Sequence, residues 1–224
     1  MTTVEELDDF YTKVMSCDYD VCSKAWNDSN QGFVPHGFYY ESPTIDILVV
    51  GKNPEYPGSN ERYPYSNKSV DERMAELKRL HAGLINGDVK LTTFHRNLFG
   101  YCSYFLDLPV KQMYTRMAHT HLFKCSTIHR QETLSSDDIY PCFNRFFLKE
   151  LRLFRPRIIF ALGGEVEKFL TEHNREIEEK IGSAVLIKNI KHPSYDYNKD
   201  DKWTILSKIK DEMYNWLNSE RKSE

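Results

Sequence analysis

Four apolar runs, each closed by turn-forming residues, do most to restrict the folds open to this chain. "IDILVVG" (45–51) is almost continuously apolar and stops at Gly51, as expected of a strand covered on both faces. "MAHTHLFKC" (117–125) is shorter and more polar, "RPRIIFALGG" (155–164) begins at Pro156 and ends at Gly163-Gly164, and "SAVLIKNIKHPS" (183–194) is the fourth. Helical patterns lie between them. "DERMAELKRLHAGL" spaces Met74, Leu77, Leu80 and Leu84 at three- and four-residue steps, and "DDIYPCFNRFFLKELRLF" follows two capping serines, Ser135 and Ser136. "KWTILSKIKDEMYNWL" sets Trp203, Leu206, Ile209, Met213 and Trp216 on one predicted face. Strands alternating with helices predict an α/β fold: one domain over 1–224, with a central, mostly parallel four-stranded sheet flanked by helices.

That fold says where chemistry belongs. In open parallel sheets, ligands bind at the carboxyl ends of the strands. "GKNPEYPG", "HTHLFKC", "LGG" and "KHPSYDYN" all fall at those ends, so polar residues distant in sequence converge on one rim. A net charge of −3 provides no global basic field, and any nucleic-acid site must be a local patch. Lys52, Lys124, Arg130, Lys188 and Lys191 are placed to make the rim locally basic, or simply to solvate it. The start, "MTTVEELDDF", lacks the layout of a signal peptide and no apolar run approaches bilayer length, so a cytoplasmic protein is expected. Nothing in the sequence demands a protein partner, and a monomer is expected.

"VVGKNP" followed by "KHPS" some 140 residues later resembles the two signature loops of the uracil-DNA glycosylase superfamily, G-x-(D/N/A)-P after the first strand and H-P-S after the last. "HLFKC" resembles the N-x-x-K-C stretch of its iron–sulfur, thermostable-type (family 4) branch. "CFNRFFLKELRLFRPRIIFALGG" resembles the C-x-x-x-L-x-x-E-L segment and following strand of the same branch. Pro64-Tyr65 stands where that branch has Pro-Phe. Three positions depart from the pattern. Lys52 replaces a Glu, Asn53 replaces an Ala and looks like the mismatch-specific and single-strand-selective branches, and His121 replaces an Asn.

The resemblance implies a monofunctional DNA glycosylase of base-excision repair that removes a deaminated base, uracil foremost, from DNA. Hypoxanthine or xanthine is the rival target, and a binding protein without chemistry is the rival of another class. Breaking an N-glycosidic bond builds positive charge on the sugar and negative charge on the departing base. Asn53 cannot titrate near neutral pH, but its carbonyl oxygen can hold the attacking water, and slow turnover is expected. Asn53 could instead serve only the turn. His192 could donate to the base oxygen as an uncharged imidazole.

The target base must be flipped into a pocket. Gly51, Lys52, Tyr65 and His121 are expected to line it, with Tyr65 as the stacking floor. His121 offers two nitrogens pointing apart, where an Asn amide reads two adjacent atoms. That predicts altered base selectivity, unless His121 is merely a bonded strand residue. Pro54, Lys191, Ser194 and Tyr195 are expected to meet the DNA: the first three at phosphates, Tyr195 as a wedge in the base stack.

Five cysteines are an odd number for disulfide pairing. Cys125 and Cys142 are seventeen apart, close to the last two cluster ligands of the resembled branch, while "CDYDVC" gives Cys17 and Cys22 a longer spacing than its C-x-x-C. A 4Fe–4S cluster on Cys17, Cys22, Cys125 and Cys142 is the implied cofactor, with zinc or ordinary buried thiols as the other readings. The cluster would tie down an N-terminal segment with little hydrophobic periodicity. Cys102 is expected to pack in the core.

Overall fold

The architecture is seen in a computed structural model that describes residues 3–17, 38–39, 45–54, 69–125, 133–195, 197–198 and 201–220. All four predicted strands form: β2 (Ile47–Gly51), β3 (Met117–His121), β4 (Ile158–Leu162) and β5 (Leu186–Ile190). They run parallel, and a two-residue strand absent from the sequence reading, β1 (Phe38–Tyr39), adds antiparallel to the edge, giving the order β1-β3-β2-β4-β5. Two residues carry too little periodicity to be seen in a sequence.

Alternation along the strands feeds two cores. Leu48 and Val50 of β2, Ala118 of β3, and Ile159 and Ala161 of β4 join one cluster. Ile47, Val49, Met117, Ile158, Phe160 and Leu162 join the other. The first cluster is covered by α1 (Val4–Met15), α2 (Val70–Asn86), α5 (Ser136–Cys142), α6 (Leu148–Phe154), α7 (Gly164–Glu172) and α8 (Asn174–Ile181). The second is covered by α3 (Thr93–Leu106), the short α4 (Val110–Met113) and α9 (Lys202–Glu220).

The N-terminal segment corrects the sequence reading. Thr3 and Glu6 form a reciprocal capping box, and α1 buries Leu7, Phe10, Tyr11, Val14 and Met15. It therefore docks by packing, with Tyr11 reaching a buried partner 139 residues away. Ser135 caps α5 as expected, in a box with Asp138. The predicted helix over 137–154 is interrupted by a π-helical turn, Phe143–Phe147, two residues after Pro141. In α9, Leu206 and Met213 are buried, whereas Trp203 is 60% exposed and leaves the predicted face.

Candidate functional site

Gly51 ends β2 in register with His121 at the end of β3. A Cβ at position 51 would lie 2.6 Å from Cδ2 and 3.0 Å from Nε2 of His121, so the glycine is required by the imidazole lying across it. Pairing continues past both strands: the Leu122 N–H donates to the Gly51 carbonyl (3.0 Å) and the Phe123 N–H to that of Lys52 (2.9 Å). The first motif loop and the "HLFKC" loop are thus one hydrogen-bonded unit. Within it, the Asn53 side-chain amide donates from Nδ2 to the Pro54 carbonyl (2.9 Å), and Pro54 is buried. That bond uses the nitrogen of Asn53 and not its oxygen, the atom that could hold a water.

The last motif loop is folded on itself. The Tyr195 N–H donates to the His192 carbonyl (2.9 Å), and the Ser194 N–H donates to Nδ1 of His192 (3.3 Å). An imidazole that accepts at Nδ1 carries its proton on Nε2, so the ring presents a donor from its far side.

Helix α3 joins the two regions; the sequence reading places Cys102 on a helix here, beside Tyr101 and Phe105, but gives that helix no part in the site. Thr92 caps the helix by accepting from the His95 N–H (3.3 Å), which sets its first turn over the strand ends. The Phe94 ring then lies 5.2 Å from His119 and 5.5 Å from His192, and His119 lies 4.7 Å from His121. One turn on, Asn97 donates from Nδ2 to the Pro193 carbonyl (2.7 Å), holding the H-P-S turn. His95, half-buried against Phe94 and Phe99, has its pKa lowered by burial. The signal that could have found Phe94 and Asn97 was modest: Thr92 followed by an amphipathic run whose polar positions fall near its start.

The remaining predicted site residues are distributed as follows. Lys52 is paired with Glu165 of α7 (2.8 Å), and this bond lowers the Glu165 pKa. The pair borders a groove of about 210 Å³ lined also by Ser135, Ser136 and Phe169. Lys191, Ser194 and Tyr195 are exposed, Tyr195 at 70%, and the Lys191 N–H donates to the Tyr197 hydroxyl (2.8 Å). Tyr65 lies outside the described residues, as does Arg130.

Two lysines leave the expected basic rim. Lys188 pairs with Glu212 of α9. Lys124 is 3% exposed, and its ammonium meets Glu150 at 2.5 Å in the first core. Glu150 also accepts from Tyr11 (2.5 Å) and Thr120 (2.8 Å), so α1, β3 and α6 share one buried polar knot. The lysine and the glutamate are 26 positions apart, and a sequence does not show that they meet.

Of the four predicted cluster ligands, Cys22 lies outside the described residues. Cys142 belongs to the first core, and Cys17 and Cys125 pack against it. The Cys142 sulfur accepts from the N–H of Lys124 (3.2 Å), one residue before Cys125. Among the described residues, no three His, Cys, Asp or Glu side chains come together closely enough to hold a metal ion. The donor chemistry suits an iron–sulfur group, but the described thiols alone do not form a site for one. Cys102 is fully buried in the second core, and burial pushes its pKa far up, so it is a packing residue.

Comparison with known proteins bears on this geometry. The family described as the uracil DNA glycosylase superfamily matches residues 38–218, which take in the whole sheet and every motif loop. No curated protein matches the chain. The parallel sheet, with its first and last motif loops brought to one end, is therefore that of a known group of hydrolytic DNA glycosylases, and this chain belongs to the uracil DNA glycosylase superfamily.

Proposed function

We propose that the chain is a monofunctional DNA glycosylase that hydrolyses the N-glycosidic bond of a deaminated base, uracil foremost. The observation that carries this reading is the H-P-S turn, where the Ser194 N–H donates to Nδ1 of His192 and so sets the ring proton on Nε2, the nitrogen that would donate to the base oxygen as negative charge gathers there. Asn53, its nitrogen held by the Pro54 carbonyl, offers its oxygen to the attacking water. With an amide in place of a carboxylate, water is positioned but not deprotonated, so turnover is slow. Gly51 and His121 meet at the paired ends of β2 and β3 and would line the base-reading pocket beside Lys52, with Tyr65 as its stacking floor. Pro54, Lys191, Ser194 and Tyr195 would hold the strand.

Single-turnover excision on oligonucleotides, each carrying one deaminated base, tests this. Asn53→Ala and His192→Ala should each slow excision by about 10²-fold or more, the loss typical of a preorganised group, with DNA binding largely retained. Loss of binding as well, in folded protein, would make both residues structural. No abasic product from any base would reduce the chain to a binding protein.

The His121 ring packed on Gly51 favours a second reading, in which hypoxanthine or xanthine is the preferred base. His121→Asn should then shift preference towards uracil by about 1–3 kcal/mol, the worth of a paired base contact. A 4Fe–4S cluster on Cys17, Cys22, Cys125 and Cys142 completes the proposal. It would supply a structural tie between the end of α1 and the core, and no step of hydrolysis passes through it.

A further inference from the structure

The last motif loop is held from one stripe of α3. Phe94, Asn97 and Tyr101 stand at three- and four-residue steps and so share a face of that helix. Each meets a different part of the loop. The Phe94 ring lies 5.5 Å from the His192 ring. Asn97 donates from Nδ2 to the Pro193 carbonyl (2.7 Å). Tyr101, fully buried, packs edge-on against Tyr197 (5.6 Å), whose hydroxyl accepts from the Lys191 N–H (2.8 Å). His192 therefore sits between two tied peptide groups, one on each side of it in the chain.

The tie after His192 reaches the imidazole itself. The Pro193 carbonyl and the Ser194 N–H are the two ends of one peptide group, which is planar, so fixing one end aims the other. Asn97 holds the oxygen end, and the nitrogen end donates to Nδ1 of His192 (3.3 Å). A carbonyl can only accept, so the Asn97 amide must turn its nitrogen towards it. Hydrogen bonds in a chain polarise one another, so a carbonyl that accepts leaves its own N–H a stronger donor. Which imidazole nitrogen carries the proton is set by the bond that the other one makes.

We propose that Asn97 is a positioning residue that sets the tautomer of His192, acting through the Pro193–Ser194 peptide to keep the ring proton on Nε2. Its bond stops that peptide from turning over. Without it the Ser194 N–H can swing off Nδ1, and the proton can occupy either nitrogen. A ring protonated on Nδ1 presents a lone pair at Nε2, which repels an oxygen gathering negative charge instead of donating to it. That the donor serves a departing base rests on the glycosylase reading. That Asn97 governs the tautomer does not.

Nitrogen NMR spectra of the full chain, isotope-labelled at histidine, read the tautomer at about pH 8.5, where imidazoles are neutral. His192→Ala identifies the signals. Wild-type His192 should show Nε2 protonated and Nδ1 bare. Asn97→Ala should draw the two nitrogen signals together, as a mixture of tautomers does. Asn97→Asp, which keeps the shape but loses the donor, should do the same. Asn97→Gln, which keeps the donor on a longer arm, should restore part of the separation. In single turnover the Ala and Asp variants should excise about tenfold more slowly, the worth of one hydrogen bond, with the enzyme concentration for half-maximal rate unchanged. Variants that slow excision with the His192 signals unmoved, or that alter neither, overturn the proposal and spare the proposed function. Signals that move in a protein that releases no base keep the Asn97 link and overturn the function.

Discussion

At position 51 the side chain is decided by a neighbour on another strand. The His121 ring fills the volume that a Cβ would need, so Gly51→Ala must push the imidazole aside or bend β2 away from β3. Overpacking of this kind costs about 1–3 kcal/mol. Gly51→Ala should lower the urea midpoint accordingly, and adding His121→Ala should restore part of the loss. A double variant no more stable than the single one would show that the strain lies elsewhere. The residue scale also shows where a sequence is informative. Asn53 and His192 are visible because short motifs fix them beside turn-forming prolines. Phe94 and Asn97 are invisible because their work depends on α3 being laid across a loop 96 residues further on. Lys124 is misread because a lysine in a polar stretch gives no sign of a glutamate waiting in the core.

Among the elements, α1 departs furthest from expectation, and its attachment is chemical as well as apolar. Its Tyr11 hydroxyl and the Thr120 and Lys124 side chains of the β3 segment all bond Glu150 of α6, whose exposure is zero. A buried pair loses far more when one partner is removed than it contributes when intact, because the survivor is left charged and unsolvated. Glu150→Ala and Lys124→Met should therefore each cost about 3–5 kcal/mol in urea unfolding. The paired replacement Lys124→Met with Glu150→Leu should cost clearly less than their sum. Single losses below about 1 kcal/mol would mean that water already reaches the pair. The helix itself was written in plain letters, Thr3 and Glu6 at capping spacing followed by Leu7, Phe10, Tyr11 and Val14. Its apolar positions are few, and the acidic residues between them mask the period.

For the molecule as a whole, the order β1-β3-β2-β4-β5 depends on which faces the helices cover and is not written in the four apolar runs, but those runs, separated by helices, foretell four parallel strands. The cofactor has no such support. Three of the proposed thiols border one core cluster, and the fourth lies beyond the described residues. Protein purified without oxygen should be brown, absorb near about 400 nm and contain about four irons per chain. Cys142→Ala should lower iron content and stability together, while Cys102→Ala should leave iron unchanged. Colourless, folded protein without iron would make all four ordinary thiols.

The pairing that runs on past β2 and β3 divides the rim into unequal halves. The loops bearing Asn53 and His121 are tied by the amides of Leu122 and Phe123, whereas the His192 loop is held from α3 through Asn97 and Phe94. Groups already fixed before a ligand arrives surrender little conformational entropy when it binds. The half proposed to hold the water and read the base would thus meet its target almost without ordering cost. Whatever adjustment a displaced nucleotide demands would fall on the α3 and H-P-S side.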